Sequence, residues 1–270
     1  VKHQERLAST FSVYEGFVNR TASKVLGWEI NAAHPDSTDK VAVIVLTQGL
    51  HDSYVPHNVE YVVRSVAKRL GPHWALQIFY GEGQQADLAR ALGDPKNVTW
   101  TRAVVDGKDA FGRAAYNRLR WSRDFYGAID ARHEHILIFE LDSMLLVSDC
   151  AGRPEFLQYD MVGAPGTRPN FPAHFVNGGF TLRKRSTLLR AVGARTRTEA
   201  VRLARHNPDE DNVAVYNLLA MNASIAPEDV AVRFSLEQIP SMPVCGFHKP
   251  WVYGNILPSF FQQVLDSATF

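Results

Sequence analysis

Two uninterrupted apolar runs limit what this chain can fold into: Val41-Ala42-Val43-Ile44-Val45-Leu46, carried on into Thr47, and Ile136-Leu137-Ile138-Phe139. A run that is apolar at every position fits a strand buried on both faces, as strands of parallel sheets are. Between the two runs the spacing becomes helical. Val59, Val62, Val63, Val66 and Leu70 recur as on one helix face within residues 55–70, and Gly71-Pro72 ends the pattern. Residues 74–80 and 97–103 read as further strands, 84–92 as a short helix, and 113–131 as one longer helix carrying Tyr116, Leu119, Trp121 and Phe125. This alternation predicts an α/β fold: a mixed, mostly parallel, Rossmann-like sheet flanked by helices in a single domain.

Beyond Val147 the rhythm changes. Residues 160–165 read as a short strand, 166–174 as a Pro- and Gly-rich loop lying over the site, and 177–183 as a strand opened by two glycines. Helices are expected over 186–192 with Ser186 as N-cap, over 198–206, and over 212–221. The expected organisation is an N-terminal arm over 1–40, the catalytic domain over 41–258, and a C-terminal tail over 259–270. With 46% hydrophobic and 21% charged residues among 270, the chain has the composition of a globular protein. A formal net charge of +1 gives no basic field that would argue for nucleic acid. No apolar stretch approaches membrane-spanning length. Two cysteines, Cys150 and Cys245, are too few for a disulfide framework and leave a single bridge open.

The second apolar run ends in Glu140-Leu141-Asp142-Ser143. Carboxylates at a strand end are costly to bury unless something positive lies against them, and open α/β sheets bind ligands at that end. In an extended chain Glu140 and Asp142 face the same side, an arrangement suited to a divalent cation that also holds a phosphorylated ligand. A strand-end Asp that merely caps a turn is the competing reading. Ser143 is placed to assist through a water. In Asn177-Gly178-Gly179 the consecutive glycines allow close backbone approach to a ligand and positive φ, or else a β-bulge at a sheet edge. Asp209-Glu210-Asp211 suits a helix N-terminus, where Asp209 accounts for a cap, and a carboxylate projecting from such a start can serve as a general base. His248, between Gly246-Phe247 and Lys249-Pro250-Trp251, is either structural or a metal ligand, and Lys249 offsets phosphate charge.

Taken in order, these motifs resemble those of GT-A glycosyltransferases, and more narrowly of a little-characterised glycosyltransferase-like family. That family shows Asp-Ser after an apolar strand, Asn-Gly-Gly-Phe-x-Leu-Arg, Glu-Asp, and a closing Gly-x-His-Lys-Pro-Trp. Here these are residues 137–143, 177–183, Glu210-Asp211 and 246–251; Tyr116-Asn117-Arg118-Leu119 and residues 233–237 are similar as well. The resemblance covers roughly residues 41–255. It implies a metal-dependent transferase that moves a sugar from a UDP- or GDP-sugar to a hydroxyl of a glycan or other acceptor, inverting, in glycan or polysaccharide synthesis.

Manganese or magnesium is the implied cofactor, held by Asp142 and His248. Glu140 departs from the Asp-x-Asp pattern at its first position. Asp211 is the implied base, with Glu210 beside it. Thr47, Gln48, Gly81, Asn117, Ser143, Asn177, Gly178, Gly179 and Lys249 are the expected donor-binding set, with Arg113 a weaker candidate. Two other classes compete: a nucleotidyltransferase on the same fold, and a module that binds nucleotide or glycan without chemistry. The expected compartment is the cytoplasm, or the Golgi lumen if an N-terminal anchor precedes Val1.

Overall fold

A computed structural model of the chain describes residues 2–46, 59–110, 112–166, 175–204 and 209–268. It opens with helix α1 (Lys2–Leu26) and enters the sheet at β1 (Lys40–Leu46). Helix α2 (Val59–Leu70), strand β2 (Ala75–Tyr80), helix α3 (Gln85–Ala91) and strand β3 (Val98–Arg102) follow, then a small hairpin of β4 (Val104–Val105) and β5 (Lys108–Asp109). Helices α4 (Gly112–Arg120) and α5 (Arg123–Gly127) lead to β6 (His135–Phe139) and β7 (Ser143–Leu145). After α6 (Pro154–Leu157) come β8 (Met161–Pro165) and β9 (Val176–Lys184), then α7 (Arg185–Ala194), α8 (Arg197–Leu203), α9 (Glu210–Leu219) and α10 (Glu228–Phe234). Strands β10 (Ser235–Leu236) and β11 (Gly246–His248) and helix α11 (Pro258–Asp266) complete the described chain.

Among the described residues the main sheet has six strands in the order β3-β2-β1-β6-β9-β8. The first four pair in parallel; β9 runs antiparallel to β6, and β8 antiparallel to β9. The start of β9 therefore lies beside the carboxyl end of β6, with Phe139 opposite Phe180. The central strands are buried on both faces, as their unbroken apolar runs require. Ala42, Ile44, Leu76, Ile78, Leu137 and Phe139 pack into the core that α1, α2 and α11 cover. Val41, Val43, Ala75, Phe79, Ile136 and Ile138 pack into a second core under α4, α5, α7 and α9. The expected single α/β domain with a mostly parallel sheet between helices is what the chain forms.

A second, three-stranded sheet in the order β10-β11-β7 was not foreseen from the sequence, because its strands are only two or three residues long. It lays β11 antiparallel on β7, pairing His248 with Ser143. A disulfide between Cys150 and Cys245, with Cα atoms 5.6 Å apart, closes the far end of this ladder. Below it, Tyr14 of α1 is fully buried, stacked on Trp251 at 4.7 Å and edge-on to Phe247 at 5.8 Å between ring centroids.

Three local expectations need correction. The helix expected over 113–131 is two helices, because the Ser122 hydroxyl donates back to the Leu119 carbonyl, accepts from the Phe125 amide and caps a new helix. Ser186 does not cap α7; the helix begins at Arg185, and the Ser186 hydroxyl donates to Glu134. Helix α9 starts at Glu210 rather than Asn212, so both acids lie in its first turn, where the helix dipole favours them.

Candidate functional site

Strand β6 ends at Phe139, and residues 140–143 form a turn closed by the Ser143 amide donating to the Glu140 carbonyl at 3.0 Å. The two carboxylates thus converge through a turn, not through the alternation of an extended chain as expected. The β7–β11 ladder brings His248 across to them, and the Lys249 amide donates to the Asp142 carbonyl at 2.9 Å. His248 Nε2 lies 3.2 Å from Asp142 Oδ1 and 3.4 Å from Glu140 Oε2. One ligand atom from each of Glu140, Asp142 and His248 lies within 4.8 Å of the others, so the three could hold a metal ion.

Two features of the site fit a cation. Asp142 Oδ1 and His248 Nε2 are buried and complete no hydrogen bond, which is costly unless something else binds them. One nitrogen and two carboxylate ligands are also a donor set that hard or borderline divalent ions accept. Burial opposes ionisation of Glu140, but His248 and Arg120 beside it hold its carboxyl well below the usual carboxylate range. Lys249 sits half-buried at a φ of 32°, and the Glu140 and Asp142 carboxylates raise its pKa against the pull of burial.

The glycine pair, Gly178 and Gly179, does not take the positive φ that consecutive glycines allow; both residues lie within β9. A Cβ on Gly179 would come 2.2 Å from His248 Nε2, and one on Gly178 would come 2.9 Å from Glu210 Oε2 and 3.2 Å from the Asp211 Cβ. The two missing side chains make room for protein groups: the imidazole at one peptide unit, the acidic start of α9 at the next.

Arg120, 2% exposed, spans these two regions. Its Nη1 donates to Glu140 Oε1 at 2.5 Å and to the Tyr116 hydroxyl at 2.7 Å, while Nη2 donates to the Gly178 carbonyl at 2.6 Å and lies 3.3 Å from Glu210 Oε2. Arg183, wholly buried, closes on both oxygens of Glu210 and donates to the Tyr126 hydroxyl. Glu210, expected beside the base, is thus held between two guanidiniums. Asp211 has no such partner. It accepts from the Asn212 amide at 2.8 Å and the Gly178 amide at 3.4 Å. Burial and the neighbouring Glu210 push its carboxyl up to about 6.

Several residues of the expected donor set make hydrogen bonds within the scaffold. The Ser143 hydroxyl accepts from the Glu140 amide and donates to the Gly179 carbonyl, so it ties the turn to β9. Asn117 donates to Asp209 and accepts from the Glu210 amide, capping α9 across the cleft, and Arg113 pairs with Asp209. Asn177, 9% exposed, accepts from the Gly179 amide. Gly81 ends β2 beside the end of β1, its amide donating to the Leu46 carbonyl. Thr47, Gln48 and most of the 166–174 loop lie outside the described residues. Arg120 was missed, and Arg183 and Glu237 lay in the motifs without a role; the signal for Arg120 was its place four residues after Tyr116 on one helix face.

A family model described as "Protein of unknown function (DUF5672)" matches residues 104–251, more than half of the chain and all of the cluster just described. No curated protein matches the sequence. Among solved structures, mouse xyloside xylosyltransferase 1 in its apo form superposes with a TM-score of 0.55 at 10% identity, over 77% of this chain and 97% of that one. The galactosyltransferase LgtC, in complex with donor and acceptor sugar analogues, superposes with a TM-score of 0.52 at 12% identity, over 85% of this chain and 96% of that one. At such identities the likeness establishes the fold, which is that of the GT-A glycosyltransferases.

Proposed function

The chain belongs to the DUF5672 family, and we propose that it is a glycosyltransferase using a nucleotide-sugar donor, a divalent cation and an acceptor hydroxyl. One observation carries the proposal: Glu140, Asp142 and His248, from segments more than a hundred residues apart, converge where the parallel strands end. Ligands of open α/β sheets bind at that end. Both structural relatives quoted are sugar transferases by name, which favours this chemistry over nucleotidyl transfer on a similar sheet.

In this reading Asp142 and His248 hold the cation, with Glu140 as the third ligand and manganese or magnesium as the ion. Bound there, the cation supplies a Lewis acid for the diphosphate leaving group as its charge grows. Lys249, kept charged by the same carboxylates, adds a second positive group. Asp211 takes the proton from the acceptor hydroxyl as its oxygen bonds to the anomeric carbon and the bond to the diphosphate breaks, giving inversion. A carboxylate poised near pH 6 suits that task. Arg120 and Glu210 fix Asp211 and Glu140 relative to one another through the Gly178 carbonyl.

The test is a panel of UDP- and GDP-sugars incubated with the protein and manganese, reading release of nucleoside diphosphate. Release with one donor class, abolished by chelation, supports the reading. Release of pyrophosphate from a nucleoside triphosphate would instead identify a nucleotidyltransferase, and metal-dependent nucleotide binding without turnover a non-catalytic module.

A further inference from the structure

Glu237 is the most deeply buried acid near the site, wholly shielded from solvent, yet neither of its carboxylate oxygens completes a hydrogen bond. Burying an unpartnered carboxylate is expensive, and burying hydrophobic surface does not require one here. Its neighbour explains it. Strand β10 runs parallel to β11 with Leu236 opposite Phe247, so the next residue along, Glu237, comes abreast of His248. Glu237 Oε1 then lies 3.4 Å from His248 Nδ1, on the side of the ring away from Asp142 and Glu140.

We infer that Glu237 is the positioning residue of the metal site, holding the His248 ring by its Nδ1–H so that Nε2 is presented to the cation. The inference rests on the metal-binding reading of Glu140, Asp142 and His248. An imidazole that gives Nε2 to a metal must carry its proton on Nδ1, and a partner for that proton fixes both tautomer and ring orientation. The ring is already confined from the β9 side, where Gly179 alone leaves it space. With Glu140 and Asp142, Glu237 makes three acids around one imidazole, faced by Lys249 and, at Glu140, by Arg120. Glu237 touches neither donor nor acceptor in this arrangement, so its effect is carried through His248.

Binding of manganese ion alone, followed by isothermal titration and by the loss of the free-ion electron paramagnetic resonance signal, tests this without any turnover. Glu237→Gln keeps the shape and removes the charge. It is expected to weaken manganese binding 10- to 100-fold, the usual cost of losing such an outer partner. The metal-free variant is expected to remain folded, because the shape of the side chain is kept. Glu237→Asp, which keeps the charge but shortens the reach, is expected to fall between. Manganese binding by folded Glu237→Gln within twofold of wild type overturns the inference. So does failure of the wild type to bind manganese, which alone among these outcomes also removes the metal-dependent reading of the site.

Discussion

The imidazole of His248 occupies the space that a side chain on Gly179 would need, its Nε2 2.2 Å from where a Cβ would stand. That contact helps join β9 of the main sheet to β11 of the small one, beside Phe180 lying against Gly246. It accounts for a glycine in the middle of a buried strand, where glycine otherwise weakens packing. Gly179→Ala is therefore expected to expel the ring. It should lower manganese affinity by more than tenfold and cost on the order of 1–3 kcal/mol in stability, as overpacking does, measured by titration and urea unfolding.

Asp142→Ala removes a carboxylate whose Oδ1 lies 3.2 Å from His248 Nε2. Metal-dependent binding of nucleoside diphosphate, followed by thermal shift with and without manganese, should disappear, and a chelator should do the same to the wild type. A manganese-dependent shift that survives in the variant would move the cation elsewhere.

Asp211→Asn should leave donor binding intact and reduce kcat by two to four orders of magnitude, the range contributed by a general base. In the wild type kcat should fall as pH drops through about 6, where Asp211 takes up its proton. A variant that transfers at the normal rate would reassign the base.

The same carboxyl makes a stability prediction of defined sign. Its folded pKa of about 6 exceeds the ordinary aspartate value of 3.8, so between those values the folded chain binds more protons than the unfolded one. Stability from this group is greatest below the lower value and falls as pH rises to the upper. At pH 8 the cost is on the order of 2–3 kcal/mol. Asp211→Asn should accordingly be more stable than wild type at pH 8 and gain little at pH 4, read from urea midpoints.

Arg120 is 2% exposed and serves Glu140, Tyr116, Glu210 and the Gly178 carbonyl at once. Arg120→Met should cost about 3–5 kcal/mol, because it takes one buried countercharge from Glu140 and one from Glu210. Arg113→Ala, which breaks an exposed pair with Asp209, should change stability by less than about 1 kcal/mol. Equal losses in the two variants, by chemical denaturation, would refute the distinction.

The unbroken apolar runs of β1 and β6 and the helical spacing of α2 were enough to specify the sheet, its helices and the acidic end of its central strand. Burial on both faces is a local property, carried by four to six successive residues whatever lies elsewhere in the chain. The motif residues were legible too, but their division of labour was not. Glu210 and Asp211 are adjacent acids in the first turn of one helix. Only the fold sets Arg183 and Arg120 against the first and buries the second beside it, so that burial and then the Glu210 charge raise the Asp211 pKa. Ser143 and Asn117 have the chemistry of ligand contacts, yet tertiary neighbours engage their polar atoms first. The meeting of Asp142, His248 and Glu237 depends on three very short strands paired across more than a hundred residues. Pairing at that range is decided by register and burial, which no spacing along the chain records.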